Sequence, residues 1–326
     1  MMPKVPAFPP NLDFTGHSIL VTGANSGLGF ASALHYLQLK ASTLYLLVRS
    51  LEKGEQAKKE LLADPLVQKN NPKADIHIYQ VDLASLDSLR SFSKKFFNEV
   101  QALNVAVLNA GVGYFNYNPT IDKMESTFQV NYLSNAILTS YLVPILKQSA
   151  LTTGRPSHLT IVSSMMQNRT SFGENTIPQS ESVFDWFNDP KNMGVSRYGQ
   201  SKILATAYAN EAASRVDPAQ VVVNSMCPGF VKTGFDVNSP GFIKYPMKIL
   251  RSLLARSTEE GARAIVLATI TGPEGSGKFF TDGAVTPPAS FLLTSEGQKF
   301  QKRMWDETQE RLRAVDLNLP VLEISN

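Results

Sequence analysis

Short apolar runs alternate with amphipathic stretches along most of the chain. Segments 18–22, 43–48, 76–81, 105–108, 159–163, 221–226 and 278–281 read as short buried strands. Between them lie helical patterns. In one, Leu86, Leu89, Phe92, Phe96 and Val100 recur every three or four residues, with lysines on the opposite face. The stretch Asp82 to Ser85 is a plausible start for that helix. Strands alternating with helices imply right-handed crossovers. The expected fold class is α/β: a single doubly wound domain, with a parallel sheet of about seven strands and helices on both faces. There is no internal repeat and no low-complexity tract.

Three segments break the rhythm inside an expected domain spanning 16–326. Segment 165–195 is polar, rich in Gly and Pro, and carries Trp186. Segment 228–257 follows a strand and holds a further amphipathic stretch. From 294 to 312 a charged helix with Phe300 and Trp305 closes the pattern. Long loops in compact domains are usually functional, and open α/β sheets bind ligands beyond the carboxyl ends of their strands. Residues 1–15 form a proline-rich lead-in, either a disordered approach or a strap across the sheet.

Composition narrows the class. The chain has 326 residues, 43% hydrophobic and 18% charged, enough for one large core. A net charge of +3 is too small for a nucleic-acid surface. Cys227 is the single cysteine, so no internal disulfide forms and a reducing compartment fits. His17, His35, His77 and His158 are scattered, with no metal-ligand spacing. The N-terminus lacks a secretory pattern, and no apolar run reaches membrane-spanning length. A cytoplasmic protein is expected, with peripheral contact at a membrane surface left open.

The candidate chemistry begins at Thr22-Gly23-Ala24-Asn25-Ser26-Gly27-Leu28-Gly29. It follows the apolar Ile19-Leu20-Val21 and opens an amphipathic helix. Unpaired N–H groups and the helix dipole suit that turn to a phosphate, and glycines allow close backbone approach. Tyr198 and Lys202 stand four apart in a helical pattern and share a face. A free tyrosine titrates near ~10, and a neighbouring ammonium stabilises the phenolate, so the pair makes a tunable acid–base. Tyr36 and Lys40 have the same spacing, but Tyr36 is expected to pack against the sheet. Ser163 and Ser164 end a strand, where a hydroxyl can orient a carbonyl and stabilise a developing alkoxide. Asn109, Ala110 and Gly111 end another. Asn131 lies in an amphipathic helix, where it can hold a water relaying protons to Lys202.

Together these motifs resemble the short-chain dehydrogenase/reductase family from about His17 to Trp305. The order is the glycine loop, Asp82-Leu83, Asn109-Ala110-Gly111, Asn131, Ser163-Ser164, Tyr198-x-x-x-Lys202 and Pro228-Gly229-Phe230-Val231-Lys232-Thr233. The resemblance implies a Rossmann domain and a catalytic tetrad of Asn131, Ser164, Tyr198 and Lys202. It implies a nicotinamide cofactor on Gly23, Asn25, Ser26, Gly27, Leu28 and Gly29. Asp82, beside Leu83, would contact the adenine, and the backbone at Asn109, Ala110 and Gly111 would stay open to the cofactor. Tyr198 and Lys202 also face it. Pro228, Gly229, Val231 and Thr233 would cover the carboxamide. The 34-residue gap from Ser164 to Tyr198 is longer than in compact members. It is similar to the retinol-dehydrogenase and WW-domain-oxidoreductase branch, and fungal biosynthetic reductases and protochlorophyllide reductases share similar gaps.

Cofactor choice rests on the end of the second strand. NAD sites place a carboxylate there for the ribose 2′-OH. This chain has Val48 instead, followed by Arg49, whose guanidinium can clamp a 2′-phosphate. NADP(H) is expected. Segment 234–257 is the expected substrate lid. Within it Met247, Ile249, Leu250, Leu253 and Leu254 share one helical face opposite Lys248 and Arg251. The preferred reading is a lid over a hydrophobic substrate such as a polyketide, terpenoid, steroid or retinoid carbonyl. The other is a basic amphipathic helix on an anionic membrane. The expected activity is NADP(H)-linked reduction of a carbonyl to an alcohol, or the reverse. The alternative is a non-redox NADP(H)-binding isomerase, cyclase or sensor. Relatives of this kind often pair through the helices bearing Asn131 and Tyr198, a surface that segment 165–195 could block.

Overall fold

Strand β1 (Ser18–Thr22) runs through the middle of an eight-stranded sheet and is buried from Ile19 onward. The structure is a computed structural model that describes residues 3–170, 172–173, 176–232, 255–315 and 322. The other strands are β2 (Thr43–Val48), β3 (Asp75–Gln80), β4 (Val105–Leu108), β5 (Ser157–Val162), β6 (Val221–Cys227), β7 (Phe279–Thr281) and β8 (Ala284–Thr286). Their order is β3-β2-β1-β4-β5-β6-β7-β8. The first seven are parallel, and the order reverses between β1 and β4. That reversal opens a crevice at the carboxyl ends, where ligands of such sheets bind.

Seven parallel strands match the expected count, and the eighth is added at the edge. It pairs antiparallel with β7 across Asp282 (φ 55°) and Gly283 (φ 81°). Two successive residues at positive φ make the tight hairpin turn that Asp-Gly favours.

Strand alternation divides the apolar side chains between two cores. Leu20, Leu47, Leu108, Leu159 and Val223 point to one face, Ile19, Val21, Leu46, Val107 and Met226 to the other. Helices α1 (Gly27–Gln38), α2 (Leu51–Ala63), α3 (Pro65–Asn70) and α4 (Leu86–Glu99) follow the first three strands. Helix α4 begins at Ser85, whose hydroxyl accepts the Ser88 N–H, and it buries Leu89, Phe92 and Phe96 as the period requires. Next come α5 (Ser126–Phe128), a π-turn at Gln129–Leu133 and α6 (Ser134–Thr153). They are followed by α7 (Val183–Asn188), α8 (Arg197–Ala213), α9 (Thr258–Ala268) and α10 (Ser295–Val315). Among the described residues no helix is long and apolar enough to cross a membrane.

The lead-in is a strap over its described length. Val5 and Phe14 are buried, the Val5 N–H reaches Glu260, and Phe8 packs edge-on against His35. The expected lid helix at 246–254, and most of 234–257, lie outside the described residues.

Candidate active site

The glycine loop leaves β1 for α1 by a turn that tolerates no side chain at two points. Gly23 sits at φ 67° and donates its N–H to Leu47 O. A Cβ on Gly29 would lie 2.4 Å from Gly23 O and 2.8 Å from Asn109 Nδ2. Ser26 is extended and makes no side-chain cap, so the first turn of α1 carries no hydroxyl acceptor of its own. Asn109 Nδ2 donates to Thr22 O, and the Ala110 N–H to Thr22 Oγ1, which fastens the ends of β4 and β1 together.

These ends border a cavity of about 260 Å³ lined by Thr22, Gly23, Asn25, Arg49, Asp82 and Gly111, among others. Its size approaches the lower bound of small-molecule sites, ~300 Å³. Arg49 is exposed at its rim, and Leu83 is buried beside Asp82. One Asp82 oxygen is committed to the Ala84 N–H. Ser50 is spent as the cap of α2, accepting the Lys53 N–H. The backbone cradle and the Gly29 clearance fit the pyrophosphate of a nicotinamide dinucleotide.

Asn131 lies fully buried in the π-turn. Its Oδ1 accepts the Val112 N–H, and its Nδ2 donates to Val112 O and Ser201 Oγ. Ser201 Oγ donates in turn to Tyr198 O. The visible work of the Asn131 side chain is thus to tie the turn after β4 to the first turn of α8. A Cβ on Gly111 would lie 3.1 Å from Asn131 Oδ1 and 3.4 Å from Lys202 Nζ, so the bare glycine lets both groups converge.

Tyr198 is half-buried, and Lys202 Nζ stands 5.7 Å from its ring centroid. Lys202 is buried, with Nζ donating to Val162 O at 2.8 Å. Burial pushes its ammonium down to about 8. The two serines separate by role. Ser163 is buried, donating to Lys202 O and bonding Thr206, whereas Ser164 is partly exposed and accepts the Met166 N–H. Tyr36 is fully buried against Thr269 and Phe14, and Lys40 pairs with Asp13, so that second Tyr-Lys spacing is structural.

Beyond β6, Pro228 is buried and Gly229 has φ 84°. Val231 bridges to Arg256, and Thr233 lies outside the described residues. Three contributors here escape a sequence reading. Cys227 Sγ accepts the N–H of Met165 and of Gly229, joining the serine loop to the next. Buried Arg256 donates to Pro228 O, Pro3 O and Asp282. Ser201 links Asn131 to Tyr198. No sequence signal marks these contacts, since each joins segments remote in the chain. The quartet Asn131, Ser164, Tyr198 and Lys202 lies at the carboxyl ends of β4 and β5 and the adjoining helices. Nothing in the described residues brings Arg49 to that quartet, as it stands at the far end of the crevice, beside β2.

Comparison with known proteins identifies the family. The short chain dehydrogenase pattern matches residues 17–174. A short chain dehydrogenase of Arthrobotrys oligospora is 55% identical over 320 residues, 98% of this chain and 99% of its own length. The short-chain dehydrogenase/reductase tropG of Talaromyces stipitatus is 33% identical over 312 residues, 95% of each chain. The NADPH-bound carbonyl reductase from chicken fatty liver shares the fold, with TM-score 0.58, 19% identity, and coverage of 83% of this chain and 98% of that one. The chain belongs to the short-chain dehydrogenase/reductase family of oxidoreductases.

Proposed function

We propose that this protein is an NADP(H)-dependent carbonyl reductase acting on a hydrophobic small molecule of biosynthesis, such as a polyketide or terpenoid ketone. The convergence of half-buried Tyr198 on buried Lys202, beside a serine hydroxyl not consumed by the core, carries the reading. The chemistry supplied by bound NADPH is hydride transfer to a carbonyl carbon, giving an alcohol and NADP+ once a proton is added. Tyr198 donates that proton to the carbonyl oxygen. Ser164 Oγ orients and polarises the same oxygen. The Lys202 ammonium lowers the cost of the resulting phenolate and would hold the ribose of the bound cofactor. Asn131 holds α8 in register with the turn after β4, and a water near it would return the proton.

The preference for NADPH rests on Val48 and Arg49. A carboxylate is missing at the end of β2, and the Arg49 guanidinium is free to meet a phosphate at the cavity rim. The working direction is reduction.

The test is NADPH consumption by the purified protein over a panel of hydrophobic ketones and aldehydes. Tyr198→Phe is expected to lose at least 10³-fold in turnover, the scale of a general acid, while keeping NADPH affinity. Retained turnover would place the proton donor elsewhere. NADH should serve poorly, and Arg49→Ala should narrow the gap between the two cofactors. Equal use of both cofactors by the native protein would remove the assignment to NADP.

A further inference from the structure

Arg197 is the residue before Tyr198 and is fully buried. A lone guanidinium in a dry core is costly, so its surroundings must hold it for a reason. Its Nη2 donates to Asn192 O at 2.9 Å. The guanidinium carbon lies 4.5 Å from the Phe187 ring centroid and 5.1 Å from that of Trp186. Arg197 Nε stands 3.9 Å from Glu125 Oε2, and Glu125 is fully buried too.

Glu125 is engaged on a second side. Its two oxygens accept the N–H groups of Thr127 and Phe128, each at 2.9 Å, and so cap α5. That cap opens the helical run whose π-turn carries Asn131. The Glu125 N–H donates to Asn188 Oδ1 at 2.7 Å. Asn188, Trp186, Phe187 and Asn192 all belong to the long segment between Ser164 and Tyr198.

We infer that the Arg197–Glu125 pair is a positioning device for catalysis. At 3.9 Å and without a hydrogen bond between the two side chains, the pair sets the start of the Tyr198 helix against the start of the Asn131 helix by charge, and the long segment supplies its walls. A packed apolar pair would fill the same space with no desolvation penalty. The charge pair adds a fixed direction, because the planar guanidinium is stacked on one side and anchored at Asn192 O on another. Arg197 and Glu125 touch no reacting atom. They act through Tyr198, whose role is the one given by the reductase reading.

The test compares Arg197→Met, Glu125→Gln, the double variant and Arg197→Lys with the native chain. Melting temperature, NADPH affinity, kcat and amide exchange at residues 197–202 are read on each. Arg197→Met should lose at least tenfold in kcat with NADPH affinity held within twofold. Exchange at 197–202 should rise at least tenfold, with β1 and β4 unchanged. The double variant removes both charges and keeps one cap acceptor at position 125. It should regain the native melting temperature without regaining kcat or local protection. Arg197→Lys should recover only part of kcat, since an ammonium cannot stack and fork alike. A folded double variant with native exchange at 197–202 would overturn the inference, as would exchange that rises evenly through the sheet. Exchange is read without substrate. A native protein that turns over nothing therefore sinks the reductase reading while the positioning claim is still decided.

Discussion

At the scale of single residues, the role proposed for Lys202 works against stability. Its ammonium lies buried beside Val162 O, and burial has brought it down to about 8 from an ordinary 10.5. The folded chain therefore releases this proton near pH 8 and the unfolded chain near 10.5. Between those values the unfolded state binds more protons, so native stability rises with pH across that window. Below pH 8 the whole penalty is present. Lys202→Met should thus be more stable than the native protein at pH 7, by roughly 2 kcal/mol after allowing for the lost hydrogen bond. The gain should shrink between pH 8 and 10.5, and turnover should vanish. Urea denaturation at pH 7 and pH 10 checks both signs. A variant less stable than the native chain at pH 7 would mean that packing around the stem, not the charge, sets the balance.

At the scale of elements, the loop after β6 and the strap at the N-terminus are one unit. The Arg256 N–H donates to Phe230 O, and Arg256 O accepts the Lys232 N–H, so the backbone is paired there. Its guanidinium then gathers Pro228 O, Pro3 O and Asp282 Oδ1, the last at 2.6 Å. A Cβ on Gly229 would strike that guanidinium at 2.8 Å. Arg256→Ala keeps the backbone pairing and removes the knot. It should cost about 2–3 kcal/mol, since Asp282 is partly solvated, and weaken NADPH binding about tenfold. Thermal unfolding and cofactor titration separate the two effects. Lost stability with intact affinity would confine the knot to a structural role. These elements also show what a sequence can carry. Period and capping place α4 and the parallel strands within a residue or two, because burial repeats locally. The Asp282-Gly283 signal for a hairpin was equally local, yet three-residue β8 is too short and too exposed for a hydrophobic pattern to mark it. The π-turn at Asn131 and the Cys227 bridge were not legible, since both answer to tertiary contacts.

At the scale of the molecule, α10 decides which surface is left for a partner. Trp305 stacks on Tyr208 at 5.0 Å and lies beneath the Arg215 guanidinium at 4.3 Å. Thr308 bonds Tyr132, and Gln301 accepts from Asn210 Nδ2. Glu307 accepts from the Val183 N–H and Ser182 Oγ, so the long segment closes over the same face. Tyr208 and Asn210 belong to α8, and the Tyr208 hydroxyl reaches Ala136 O of α6. The faces of α8 and of the π-turn before α6 that meet α10 are therefore covered from within the chain. A second copy could reach them only by displacing a stacked tryptophan and a buried threonine–tyrosine bond. Detaching Trp305 alone would cost about 3–5 kcal/mol, the price of emptying an aromatic site in a core. Sedimentation equilibrium should return the mass of one chain, 35.8 kDa. Trp305→Ala should lower the melting temperature without producing a dimer, because Thr308, Glu307 and Gln301 still hold the helix in place. A dimer that persists in the native protein and dissociates when exposed residues outside α6, α8 and α10 are charged would place the pairing surface elsewhere. A dimer lost on Trp305→Ala would show that α10 itself builds the interface rather than covering it.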